Sequence, residues 1–145
     1  MSDHGQRLIL AVDHIHQLSK IISTSLTKYG FKVYAAKSPQ EGLYIFERYQ
    51  SEIDLVAVDI VTPIAGNLDL AAELERRRPG LPVLYLASSV RSIVRAGIEA
   101  SSPESVLITP FTDEALLQRV LRLSTVRPSN VQAPKLPAAE LIPAA

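Results

Sequence analysis

Four stretches carry apolar residues without polar alternation: Leu8-Ile9-Leu10-Ala11-Val12, Leu55-Val56-Ala57-Val58, Pro82-Val83-Leu84-Tyr85-Leu86 and Val106-Leu107-Ile108. Such runs mark strands buried on both faces, the habit of a central parallel sheet. Residues 31–36 read as a further short strand. Between the strands, apolar residues recur at helical spacing. Leu18, Ile21, Ile22 and Leu26 define a helix over 15–29 that Gly30 stops. Ser38-Pro39-Gln40-Glu41 has the form of a capping box, and Leu43, Ile45, Phe46 and Tyr49 continue that helix. A third helix is expected from Asn67 or a neighbour, holding Leu70, Ala71 and Leu74 and ending in Arg76-Arg77-Arg78 before Pro79-Gly80. Cations at that end suit the helix dipole. Val90, Ile93, Val94, Gly97 and Ile98 form the stripe of a fourth helix, with Arg91 and Arg95 off it in solvent. Thr112 caps a fifth, with Asp113 and Glu114 in its first turn and Leu116, Val120 and Leu123 buried.

Strict alternation of strand and helix predicts a parallel five-stranded sheet covered on both faces, a three-layer α/β/α sandwich, because each parallel crossover needs a helix. A length of 145 residues with 47% hydrophobic content suits one domain with a full core plus a tail. The domain is expected at 7–124, after a short polar lead at 1–6. Residues 125–145, with Pro128, Pro134, Pro137 and Pro143 among Ala, Ser, Asn and Gln, read as a flexible tail or linker.

Fifteen basic and fifteen acidic residues balance to a net charge of zero, so no nucleic acid and no anionic membrane partner is expected. The absence of cysteine removes disulfides, thiolate catalysis and thiolate metal sites. The polar start carries no signal-peptide pattern and no apolar run approaches the ~20 residues of a membrane span, so a cytoplasmic location is expected.

Two strands end in a carboxylate: Asp13 after the first, followed by His14, and Asp59 after the third, followed closely by Pro63 and Gly66. The carboxyl edge of an open α/β sheet is where sites form. If the first and third strands are neighbours, Asp13, His14 and Asp59 converge. Two close carboxylates repel and call for a divalent metal, a lysine or a protonated imidazole. The plainer reading is that both acids cap turns and never meet.

In order and spacing these motifs resemble the receiver domain of two-component response regulators, over about residues 7–124. The resemblance rests on Val-Asp at strand one, Asp54-Leu55-Val56 with Asp59 and Pro63 at strand three, Pro82-Val83-Leu84-Tyr85-Leu86 at strand four and Pro110-Phe111 after strand five. It implies a flavodoxin-like (βα)5 fold with strand order 2-1-3-4-5. It also implies that Asp59 is the phosphoacceptor, with Mg²⁺ held by Asp13, Asp59 and the backbone carbonyl of Val61. Histidine kinases or phosphotransfer proteins are the implied donors. A homodimer through the fourth helix, fifth strand and fifth helix is ordinary for that family.

Several positions depart from the family pattern. His14 replaces the second acid, the usual metal ligand, and is a poor ligand for Mg²⁺, which prefers oxygen; a weak metal site follows. Protonated, His14 would supply positive charge; otherwise it merely occupies a turn. The Thr or Ser closing strand four is Ala87, with Ser88 next, and the strand-five aromatic is Val106. The lysine before Pro-Phe is Thr109, which carries no charge, and Asn67 stands at the loop glycine, Gly66 coming one place early. The expected function is a receiver domain in two-component or phosphorelay signalling, with Asp59 in an atypical site. The alternative is a phosphorylation-independent pseudo-receiver that acts as a protein-interaction module. A metal-dependent hydrolase on the same architecture is disfavoured by the lack of a glycine-rich phosphate loop, a cap insertion and the lysine. An enzyme would turn over excess donor, whereas a receiver modifies itself once. No DNA-binding module is expected in the remaining residues.

Overall fold

The structure is a computed structural model that describes residues 7–13, 17–60, 65–89, 91, 93 and 103–124. Five parallel strands, β1 (Leu8–Val12), β2 (Lys32–Ala36), β3 (Ile53–Asp59), β4 (Val83–Ala87) and β5 (Val106–Ile108), form one sheet in the order β2-β1-β3-β4-β5. The helices α1 (Gln17–Thr27), α2 (Pro39–Tyr49) and α3 (Ala65–Arg77) and a last helix (Asp113–Ser124) cover it. Of the helix expected near Val90, only Ile93 of its stripe, which is buried, and Arg91 off the stripe, which is exposed, are among the described residues.

Strand alternation sorts the core into two layers. Ile9, Ala11, Leu55, Ala57, Leu84, Leu86 and Leu107 face α1 and the last helix, where Ile22, Leu26, Leu116 and Val120 meet them. Leu10, Val12, Val56, Val58 and Val83 face α2 and α3, against Phe46, Leu70 and Leu74. β1 and β3 lie in the middle and are buried throughout, as their unbroken apolar runs require, save for Asp54. That residue breaks the ladder. The register of β3 against β1 slips between Ile53 and Leu55, and the Asp54 carboxylate accepts the Leu8 N–H at 2.9 Å. The bulge explains why Ile53 and Val56, an odd number of residues apart, share a layer.

Local chemistry sets most boundaries. α1 ends in a Schellman motif: Phe31 N–H donates to the Leu26 carbonyl, Gly30 N–H donates to that of Thr27, and Gly30 sits at φ 91°. Before β4, Pro79-Gly80 turns the chain, with Leu81 N–H donating to the Arg78 carbonyl and Gly80 at φ 89°. Ser38 caps α2 by accepting the Glu41 N–H at 3.1 Å. The return half of the expected capping box is displaced: Glu41 accepts from Lys37 N–H at 2.8 Å, one residue before the cap. α3 begins at Ala65, earlier than Asn67, so Asn67 lies inside its first turn. Its arginine end does more than neutralise a dipole, since Arg77 bridges Glu73 in its own helix and Glu47 on α2, each at 2.8 Å. No helix of the described residues is long and apolar enough to cross a membrane.

The start of the last helix is tied to the end of α1. Asp113 accepts from the Lys28 ammonium at 2.8 Å and from the Ser25 hydroxyl at 2.6 Å. The Lys28 hydrogen bond first, then that of Ser25, holds the Asp113 carboxyl below its ordinary value, and Asp113 raises that of Lys28. A depressed carboxyl pKa contributes stability that is complete above the unfolded-state value and lost as pH falls through the folded-state value. The lysine's share is lost at the alkaline end, as pH rises through its raised value. Ser25→Ala is therefore expected to lower the melting temperature slightly at neutral pH, the pair being exposed. The gap to the parent should close in acid; a gap that persists there would assign the loss to packing of the buried Ser25 instead.

Candidate functional site

The carboxyl edge of the sheet collects the predicted residues. Val12 pairs with Val58, so Asp13 and Asp59 follow as the next pair on adjacent strands, and both are about 1% exposed. Neighbouring parallel strands lie roughly 4.8 Å apart, and paired residues share a face. Asp59 is also paired with Leu86, a member of the layer under α1 and the last helix. The register thus sets the two acids side by side at the sheet edge.

Asp13 also does a cap's work. Its Oδ2 accepts the Ser19 N–H at 2.9 Å, an orphan donor in the first turn of α1. Its own N–H donates to the Ala36 carbonyl at 2.9 Å, which ties the end of β1 to β2. One carboxylate therefore orients a helix and stands beside Asp59.

On the other side of β3, Ile60 N–H donates to the Leu86 carbonyl and Thr109 N–H to that of Ala87, each at 2.8 Å. The second bond continues the β4–β5 register by one pair and sets Thr109 opposite Ser88. β4 runs to Ala87 without a register shift. By alternation from Leu86, Ala87 falls on the face away from Asp59, where it is fully buried, and Ser88 falls on the Asp59 face, exposed at the edge. Ser88, two places beyond Leu86, thus shares that face without a bulge. Thr109 is partly buried, and its bond to Pro110 is cis. Val106 pairs with Tyr85 on the opposite face. His14, Val61 and Pro63 lie outside the described residues.

Asn67 is the site residue whose role the sequence left unread. It is 1% exposed, and its side-chain amide donates to the Asp59 carbonyl at 2.7 Å, so the first turn of α3 fixes the backbone of the strand end. Its Oδ1 is buried and has no hydrogen-bond partner among the described residues. Periodicity gives no sign of this, since Asn at a helix start reads as an ordinary cap. Gly66 beside it serves packing: a Cβ there would lie 2.7 Å from Cγ of Pro39, the rigid first residue of α2.

Two adjacent, buried carboxylates offer hard oxygen donors. Mg²⁺ is commonly held by one or two carboxylates with the remaining positions filled by water, so the donor set suits it. Among the described residues no cluster of three or more acidic, histidine or cysteine side chains forms a fuller metal cage.

No protein-family model matches the chain. It is 31% identical over 119 residues to the transcriptional regulatory protein GlrR of Escherichia coli, matching 81% of this chain and 26% of that protein. Against the probable transcriptional regulator ycf27 of Cyanidium caldarium it is 28% identical over 131 residues, 88% of this chain and 51% of that one. The chain thus spans about a quarter to a half of the curated relatives it matches. Among solved structures, a response regulator from Thermotoga maritima superposes with a TM-score of 0.68 at 25% identity, covering 83% of this chain and 98% of that one. A response regulator receiver protein from Sinorhizobium medicae gives 0.64 at 25% identity over 83% and 95% of the two chains. The strand order, the paired acids at the sheet edge and these likenesses agree: the chain has the CheY-like fold and is similar over most of its length to the response regulator receiver domains of two-component systems.

Proposed function

We propose that Asp59 accepts a phosphoryl group. The observation that carries this reading is the burial of Asp59 beside Asp13 at the carboxyl edge of the sheet. An Asp59 carboxylate oxygen attacks the phosphorus, the O–P bond of an acyl phosphate forms, and the bond from phosphorus to the donor breaks with its electron pair leaving on the donor. The donor in the cell is a histidine kinase or a phosphotransfer protein. Asp13 and Asp59 would hold Mg²⁺, with Val61 contributing a backbone carbonyl. When bound, the ion neutralises negative charge on the phosphoryl oxygens. Asn67 keeps the strand end in place through the Asp59 carbonyl, and Ser88 and Thr109 are the hydroxyl-bearing residues on the acceptor's face. The chain is a phosphoryl acceptor rather than an enzyme that turns over substrate.

The curated relatives are named as transcriptional regulators and are longer than this chain. The part proposed here is the receiving of the signal.

The test is intact mass after incubation with a small phosphoryl donor and Mg²⁺. One hydroxylamine-labile adduct per chain is expected, lost in Asp59→Asn. Continued consumption of donor beyond one equivalent would instead indicate an enzyme.

A second reading has its own support. Ala87 is buried, lacks a hydroxyl and is placed off the Asp59 face, while Val106 has no ring to move. This favours a pseudo-receiver that docks partners in one conformation, including a second copy through β5 and the last helix. Absence of any adduct from a folded protein would select it.

A further inference from the structure

The edge of the sheet opposite β5 carries a surface that the phosphorylation chemistry does not use. β2 is the outermost strand. Lys32 N–H donates to the Arg7 carbonyl and the Ala36 carbonyl accepts from Asp13, so residues 32, 34 and 36 turn their peptide groups toward β1. The peptide groups of Val33 and Ala35 therefore point away from the sheet, where no further strand lies among the described residues. Beside them, Tyr34, Tyr44, Ile45, Arg48 and Tyr49 line an open groove of about 290 Å³.

The groove's chemistry is uneven in a telling way. The rings of Tyr34 and Tyr49 lie 4.8 Å apart, tilted by 53°. Arg48 stands 5.9 Å from the ring centres of both Tyr44 and Tyr49, and the Lys32 ammonium is 5.6 Å from that of Tyr34. Tyr44 is 59% exposed, although an amphipathic helix needs no aromatic residue on its outer face. Neither Lys32 nor Arg48 has a carboxylate ion pair among the described residues, and Glu47 on the same helix is turned to Arg77 at 2.8 Å. Tyrosine and arginine grouped around one cleft are the side chains that dominate binding energy at interfaces.

We infer that this edge docks an extended acidic peptide segment of a partner protein, which pairs with the outward peptide groups of β2 and lays a carboxylate against Arg48 and Lys32. A second copy of the chain fits less well, because pairing β2 with β2 brings the same cations together. A nucleic acid fits less well too, since the chain has no net positive charge with which to hold a phosphate backbone. The surface stands apart from the phosphoacceptor, so the inference is independent of whether Asp59 is phosphorylated.

The test is selection of a displayed library of random linear peptides on the whole protein, followed by synthesis of the enriched sequences. Enriched peptides should be rich in Asp and Glu, shift the backbone amide resonances of Val33 and Ala35, and bind Asp59→Asn equally well. Arg48→Glu and Tyr44→Ala, both at exposed positions and checked for an unchanged melt, should each weaken binding at least about tenfold. No enrichment, enrichment of neutral or basic peptides, or affinity untouched by both variants would overturn the inference. So would tighter binding of oligothymidylate than of the peptides, or self-association abolished by Arg48→Glu, which would assign the edge to a nucleic acid or to a second copy.

Discussion

Thr109→Lys is expected to raise the rate of phosphorylation of Asp59 by a small donor about 10²-fold, the scale of one well-placed electrostatic contact in a transition state. Phosphoryl transfer asks the protein mainly to position groups and balance charge on the equatorial oxygens. Thr109 is anchored through its N–H to the Ala87 carbonyl at 2.8 Å and lies opposite Ser88, on the face that carries Asp59. Its hydroxyl can donate one hydrogen bond but brings no charge. The position is partly open, between the exposed Ile108 and Pro110, so a longer side chain fits without entering the core. Thr109→Ala, which removes a single neutral donor, should cost only a few-fold. Both rates are read as adduct formation by intact mass, with Asp59→Asn as the blank. An unchanged rate in Thr109→Lys, with the adduct still on Asp59, would mean that another group already supplies the positive charge and that Thr109 has no part in the step.

How far the sequence reveals this molecule depends on which interactions act locally. The unbroken apolar runs of β1 and β3 disclosed a sheet buried on both faces, because burial leaves a record at every position. Gly30 disclosed the end of α1 because left-handed backbone favours glycine. Features that depend on distant partners were not legible. The bulge at Asp54 exists because its carboxylate takes the place of a backbone acceptor for Leu8, a contact across 46 residues. Gly66 looked like a displaced loop glycine, yet what it accommodates is Pro39 on another helix. Of the candidate site, Asp13 and Asp59 were found from matching strand ends, and parallel pairing made them neighbours. The capping of α1 by Asp13 and the hold of Asn67 on the Asp59 carbonyl were not, because each is a hydrogen bond formed only once the edge is assembled.

The same pairing predicts a penalty that can be measured without any phosphoryl donor. Unit charges on adjacent strands about 5 Å apart repel by about 3 kcal/mol at an effective dielectric constant of ~20. Asp59→Asn removes one of them while keeping the shape and a carbonyl oxygen, so the metal-free variant should be more stable than the parent by about 1–3 kcal/mol. At about 4 °C per kcal/mol for a domain of this size, that is a rise in melting temperature of roughly 4–12 °C. Asp13→Asn should act in the same direction but gain less. Its side-chain oxygen can still accept from Ser19 N–H, yet it loses the stronger bond and the favourable charge at the start of α1. Mg²⁺ should then reverse the order. At a hundredfold excess over its dissociation constant a ligand adds about 2.7 kcal/mol to the folded state, and only the parent retains both carboxylates to receive it. Melting each protein in a chelator and again across a Mg²⁺ series reads both effects. A parent already as stable as Asp59→Asn without metal would show that the two charges are compensated within the fold, and a Mg²⁺ response equal in both would remove Asp59 from the metal's ligands.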